Sequence, residues 1–219
     1  MRSHPTGRRF PGASLLLALP AFCFQLLPRL ASRCQFDRRA ITAGEVWRLV
    51  TGHWTHWSLD HLLWDLAAFT GLAVACELAP GCGRKRMLGA VGLAAVAIPA
   101  VLWVVLPRLA TYRGLSGIDS ALFVLLAVTV LRDDLAACRR GWAWIGLLAL
   151  AAFLAKCGYE AATGRALFAV ASGFVPVPLA HLIGGLSGFI GRGWRRDPRP
   201  GPIRRHSRGD PTAASSGGT

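Results

Sequence analysis

Tyr112-Arg113-Gly114-Leu115-Ser116-Gly117-Ile118-Asp119-Ser120 sets a serine between two glycines at the mouth of a long apolar run. Gly114 and Gly117 allow a tight turn and a close approach of backbone, which leaves Ser116 bare at a helix N-terminus, where unpaired N–H groups favour developing negative charge. A serine hydroxyl is a weak nucleophile until a base takes its proton. One histidine embedded in apolar sequence lies far downstream, His181 in Pro178-Leu179-Ala180-His181-Leu182-Ile183-Gly184-Gly185. The pair suggests a Ser–His couple inside a membrane. The competing reading is a plain helix-start turn, because a GxSG match is short. Context decides between them.

Of the 219 residues, 53% are hydrophobic and 16% charged, below the roughly 25% charge of soluble domains, which points to a polytopic membrane protein. A formal charge of +14 raises the question of nucleic acid. The basic residues, however, fall in short clusters between apolar runs and form no single stripe, so membrane orientation is the better account and no nucleic-acid partner is expected. Six cysteines, Cys23, Cys34, Cys76, Cys82, Cys138 and Cys157, show no metal-type spacing. They read as small hydrophobes, and neither a metal nor a cofactor is expected.

Residues 1–12 form a basic N-terminus, and an apolar run over 13–27 follows, with Pro20 inside it. Cleavage as a signal peptide and retention as a first spanning helix both fit. Retention is favoured because later helices need a partner and membrane helices tolerate proline. Residues 28–58, with Trp47, Trp54 and Trp57 among arginines, have the composition of an interfacial segment that does not cross. The run 59–78 carries His61, Asp65 and Glu77. Ionisable groups in a span face the bundle interior by default, and His61 and Asp65, four apart, share a face. Glu77 is expected to tie the following loop.

Further spans are expected at 87–106, 116–131, 142–157 and 175–190, with a disordered basic tail over 192–219. The fold class is therefore all-α, a six-transmembrane-helix bundle over 13–191. Six spans place both termini on one face of the membrane together with the 2–3 and 4–5 loops. That face holds 16 Lys and Arg against 9 opposite, which directs the termini to the cytoplasm. Ser116 and His181 then lie at similar depth near the outward face.

Trp47-Arg48-Leu49, Thr51, His56-Trp57-Ser58-Leu59-Asp60-His61, Asp65 and Glu77, Gly114-Leu115-Ser116-Gly117, and His181-Leu182-Ile183-Gly184 with Gly188 occur in that order. This succession resembles the signatures of the rhomboid intramembrane serine proteases over residues 45–190. The short chain and the wording of the Ser116 and His61 segments are most similar to the bacterial rhombosortase branch. The resemblance implies a rhomboid-like bundle in a bacterial inner membrane. Ser116 would be the nucleophile and His181 the general base, a dyad without a third carboxylate. His61 would stabilise the oxyanion together with the Ser116 N–H, while Gly114, Gly117, Gly184 and Gly188 would let the site pack closely. Substrates would be transmembrane proteins embedded in the same lipid bilayer, with C-terminal Gly-Gly sorting signals if the branch holds.

Asp65 departs from the family pattern, which commonly has asparagine there. An ionised carboxylate would repel an oxyanion and a protonated one could donate to it; alternatively Asp65 pairs with His61 and holds its tautomer. The departure also supports a second reading, a catalytically inactive rhomboid-like protein that binds or escorts membrane clients. A transporter is disfavoured because no inverted repeat is evident.

Overall fold

A computed structural model describes residues 10–167 and 177–193. Within them the chain is mostly helical. The long helices are α1 (Gly12–Leu26), α5 (Leu59–Leu78), α6 (Gly83–Val105), α7 (Ser116–Ala136), α8 (Arg140–Thr163) and α9 (Pro178–Gly193). Between α1 and α5 lie three short ones, α2 (Pro28–Cys34), α3 (Arg38–Thr42) and α4 (Arg48–Thr51), followed by a 3₁₀ turn at Gly52–Trp54.

Three helices, Leu59–Leu78, Gly83–Val105 and Ala143–Thr163, are long and apolar enough to cross a membrane. A fourth candidate is α1 with α2, a pair bent by 117° at Leu27-Pro28. The bend follows from proline, which removes a donor and pushes its predecessor out of the helical region. Helix α7 carries Asp119, Arg132, Asp133 and Asp134, and α9 has 16 residues, so neither meets the same measure of length and apolarity. Outward faces are nevertheless greasy: Leu63, Trp144, Leu148 and Phe189 are all more than half exposed. A water-soluble surface does not present apolar side chains in such continuity.

Helix α7 is the centre of the molecule. Gly117 through Leu122 are all buried, and α7 packs most extensively against α9, then α8 and α5. Ile98 and Leu102 of α6, Phe69 of α5, and Ile118, Leu122 and Leu125 of α7 fill the core. Small residues set the distance between α7 and α9. A Cβ placed on Gly184 would run into the Gly117 carbonyl oxygen, and one on Gly188 into that of Ala121, so the two helices touch backbone to backbone.

The segment 28–58 forms a layer at one end of the bundle, and none of its helices exceeds seven residues. Its strand β1 (Phe36–Asp37) pairs antiparallel with β2 (Thr111–Tyr112), Phe36 opposite Tyr112. Arginines bind the layer together. Arg38 donates to the carbonyls of Leu102, Trp103, Leu106 and Leu109, binding the end of α6 and the turn after it, and stacks 4.3 Å over Trp103. Arg48 donates to the carbonyls of Ser32 and Gln35 and pairs with Glu45 at 2.7 Å. Trp47 and Trp57 are exposed, but Trp54 is half-buried and donates to the Leu17 carbonyl at 2.7 Å, tying the layer to α1.

Glu77 does not tie the loop itself but pairs at 2.7 Å with Arg84, in the first turn of α6, which starts at Gly83 and not at the expected 87, and it reaches α1, accepting from the Ser14 amide at 2.8 Å and its hydroxyl at 2.7 Å. Those bonds satisfy first-turn donors of α1 and fix it against α5.

Several expected boundaries move. Helix α7 runs to Ala136 and α8 to Thr163, both beyond the expected ends at 131 and 157. Helix α8 stops where Gly164 adopts φ 66° and donates to the Glu160 carbonyl, a left-handed cap that glycine takes without strain. Of the tail expected from 192, Arg192 and Gly193 belong to α9. Arg192 is buried with its guanidinium 3.3 Å from Asp133. The rest of that tail, 194–219, lies outside the described residues, as do 1–9 of the basic N-terminus and 168–176, which include the expected start of span six at Val175.

Candidate active site

Ser116 is the first residue of α7. The chain reaches it from β2 through Arg113 and Gly114, and Gly114 has φ 122°, a conformation that L side chains rarely take. Space reinforces the choice of glycine, since a Cβ there would lie 2.9 Å from His61 Nε2 and 3.1 Å from Asp65 Oδ2. Arg113 holds the approach in place. It donates to Gln35 Oε1 at 2.7 Å and to the His56 carbonyl at 2.9 Å, and its guanidinium lies 4.5 Å over the Trp57 ring. No side chain caps the first turn of α7 at Leu115, so its amides remain available to groups reaching in from α5.

His181, buried in the first turn of α9, sets Nε2 3.1 Å from Ser116 Oγ. The contact exists because Gly184 and Gly188 let α9 settle onto α7. The other ring nitrogen is also engaged: Nδ1 lies 2.8 Å from Glu160 Oε2 and 3.2 Å from Lys156 Nζ. Lys156 in turn pairs with Glu160 Oε1 at 2.8 Å. Beside the expected Ser116–His181 pair, α8 thus brings an acid to the far side of the imidazole. Glu160 lies three residues beyond the expected end of span five at 157. Its signal was present: Lys156 and Glu160 stand four apart in an apolar stretch, and ionisable residues at that spacing share an inward face.

Asp65 Oδ2 faces two backbone amides and two imidazoles. It accepts from the Leu115 amide at 2.9 Å and the Ser116 amide at 3.2 Å, and the Nε2 atoms of His56 and His61 each stand 3.3 Å away. The two imidazoles meet edge to face with centroids 5.1 Å apart. Asp65 Oδ2 thus acts as an acceptor for the amide expected to hold an oxyanion. His56 is buried against Asp65. His53 is buried and 3.2 Å from the Ala95 carbonyl, and burial pushes its imidazole down to about 4.

Ser116, His181, His61, Asp65, Lys156 and Glu160 all border one cavity of about 510 Å³ between α5, α7, α8 and α9. Its other walls are mainly apolar, among them Ala67, Ala68, Leu72, Phe123 and Phe153. Gly114, Gly117, Gly184 and Gly188 surround the site without lining the cavity and set its close packing. Chemically, the arrangement offers a hydroxyl beside an imidazole, a carboxylate and ammonium behind that imidazole, and two amides at a helix start. These are the parts of a nucleophilic acyl-transfer site.

Comparison with protein-family models and with curated proteins finds no match. By fold and composition the chain is a mostly helical protein with three to four helices able to cross a membrane.

Proposed function

We propose that the chain is an intramembrane serine endopeptidase of rhomboid type that cuts transmembrane proteins. The observation that carries this reading is the 3.1 Å approach of His181 Nε2 to Ser116 Oγ inside a mainly apolar cavity large enough for a segment of peptide. In this reading α1, α5, α6, α7, α8 and α9 are six spans of one bundle in a bacterial inner membrane. The termini face the cytoplasm and the Ser116 end of α7 faces outward.

His181 Nε2 takes the Ser116 hydroxyl proton as Oγ bonds to the scissile carbonyl carbon. The same proton then passes from Nε2 to the leaving amine as the C–N bond breaks, leaving an acyl-serine. Water deprotonated by His181 releases the acyl group. The amides of Leu115 and Ser116 and the imidazole of His61 are the donors nearest the reacting centre, and each such donor is worth roughly 2.7–4 kcal/mol when it meets developing charge. The substrates of the bacterial rhombosortase resemblance, proteins with C-terminal Gly-Gly sorting signals, belong to this proposal.

A second reading is supported by Asp65. Its carboxylate already occupies the Leu115 and Ser116 amides, as suits an inactive rhomboid-like protein that binds or escorts membrane clients. Labelling of the purified protein with a serine-reactive phosphonate separates the two. The enzyme labels in wild type and fails to label in Ser116→Ala; absence of labelling in both favours the client binder.

A further inference from the structure

We infer that Glu160 is the positioning acid of this site, with Lys156 as its counter-ion, so that Ser116, His181, Glu160 and Lys156 form one proton-ordering chain across α7, α9 and α8. The inference rests on the proposed serine-protease reading and adds two residues to it.

The tautomer of His181 decides whether the site works. A neutral imidazole carries one proton, and only with that proton on Nδ1 does Nε2 present the lone pair that Ser116 must find. Two groups compete for Nδ1. Lys156, an obligate donor when charged, would draw the lone pair to Nδ1 and leave Nε2 protonated, the unproductive form. Glu160, an acceptor, holds the proton on Nδ1. The acid stands closer, at 2.8 Å against 3.2 Å, and a small turn of the Glu160 carboxyl aligns Oε2, which makes no other hydrogen bond, with a proton on Nδ1, while Oε1 holds Lys156 at 2.8 Å.

Burial strengthens the arrangement. Glu160 is 2% exposed, and an isolated carboxylate so placed would be strongly disfavoured; the ammonium of Lys156 and the Leu167 amide, 3.3 Å from Oε1, compensate it. When His181 takes the serine proton it becomes an imidazolium next to Glu160. The proton on Nδ1 stays there, no proton moves to the carboxylate, and the positive charge that forms is balanced in place.

The other titratable groups sharing the cavity with His181 are Asp119 from α7 and His61 and Asp65 from α5. Helix α6, also packed on α9, carries charge only at Arg84, Lys85 and Arg86 in its first turn. That turn is remote from His181, because it is Gly191, near the other end of α9, that packs on Ala90. Glu160 and Lys156 are thus the charges in direct contact with Nδ1.

The test uses full-length protein purified in detergent and the second-order rate of inactivation by a fluorophosphonate probe, followed from pH 5 to pH 9. Wild type is expected to show an acid limb reporting protonation of His181. Glu160→Gln removes the balancing charge and the tautomer lock, so the rate falls about 10²–10⁴-fold and the limb moves to lower pH. Lys156→Met leaves the carboxylate unopposed, so the limb moves to higher pH with a smaller loss of rate. Glu160→Asp recovers part of the rate if the shorter acid still reaches Nδ1.

A purely structural role predicts slower labelling with the limb unmoved in all three variants, and that result overturns the inference. Lys156→Met alone suffices for the decision if Glu160→Gln does not fold. Wild type that labels no more than Ser116→Ala overturns instead the protease reading on which the inference stands.

Discussion

The carboxylate of Asp65 accepts a 3.2 Å hydrogen bond from the backbone amide of Ser116, the residue whose hydroxyl faces His181 at 3.1 Å. A negative oxygen therefore sits where the amides of α7 would receive a reaction's developing charge. Asparagine at position 65 keeps an acceptor for the Leu115 amide and adds a donor, whereas alanine abandons both amides. Asp65→Asn is expected to retain kcat within about tenfold of wild type or to exceed it. Asp65→Ala leaves His61 and both amides without the acceptor that orients them, and is expected to lower kcat about 10²-fold with little change in KM. Steady-state cleavage of a membrane substrate measures both, and an Asp65→Ala enzyme with unchanged kcat removes Asp65 from the site.

The approach of α9 to α7 is set by hydrogen atoms in place of methyl groups. Gly188→Ala forces a methyl onto the Ala121 carbonyl and must push the helix outward, which costs about 1–3 kcal/mol and moves His181 away from Ser116. A displacement near 1 Å is worth about 10²-fold in rate. Gly92→Ala, at a position with nothing within 4 Å, serves as the control and should leave both rate and thermal midpoint unchanged. Equal activity in both variants would contradict the packing account.

Helix α1 is fixed to α5 by one buried carboxylate. Glu77→Ala strands the buried Ser14 amide and hydroxyl, while the exposed Arg84 guanidinium turns to water, and a loss of about 2–4 kcal/mol is expected. Ser14→Ala removes a single hydroxyl and should cost about 1 kcal/mol. Denaturation in mixed micelles orders the two, and a Glu77→Ala protein as stable as Ser14→Ala would show that α1 is held by other means.

His53 makes stability depend on acidity. Its imidazole is lowered from an ordinary 6.5 to about 4 by burial, so in mild acid the unfolded chain takes a proton that the folded chain refuses. Its contribution is fully present above pH 6.5 and is lost as pH falls from there to about 4, a change on the order of 3 kcal/mol. His53→Gln keeps a donor for the Ala95 carbonyl and does not titrate. The fall in thermal midpoint between pH 7 and pH 4 should be smaller in the variant than in wild type; an identical fall would place the acid sensitivity elsewhere.

Orientation is read out by fusions. Reporters placed after Arg86 and after Arg140 are expected on the cytoplasmic side and one after Arg113 on the outside, following the excess of Lys and Arg on the terminal face. An exchanged pattern would reverse the bundle.

Apolar runs of membrane length, broken by basic loops, made the helices legible from the sequence, because in a bilayer each backbone polar group must be satisfied within its own segment. The order of Gly114-Leu115-Ser116-Gly117 and His181 with Gly184 and Gly188 made the serine and histidine legible as well, since turn glycines and small-residue ridges are local features of a chain. The partners of those residues were decided in three dimensions. Glu160 became visible only when α8 ran past its apolar stretch and turned one face onto His181. His56 was equally obscure, because it reaches Asp65 only through the fold of the interfacial layer, which Arg113 ties to the site by its bond to the His56 carbonyl. Whether Asp65 gives or receives a hydrogen bond also depended on the amides of Leu115 and Ser116, some fifty residues away. Sequence determines which groups a helix carries along its length. Contact between side chains of different helices depends on their rotation and separation, and here those were set by packing at Gly117, Gly184 and Gly188.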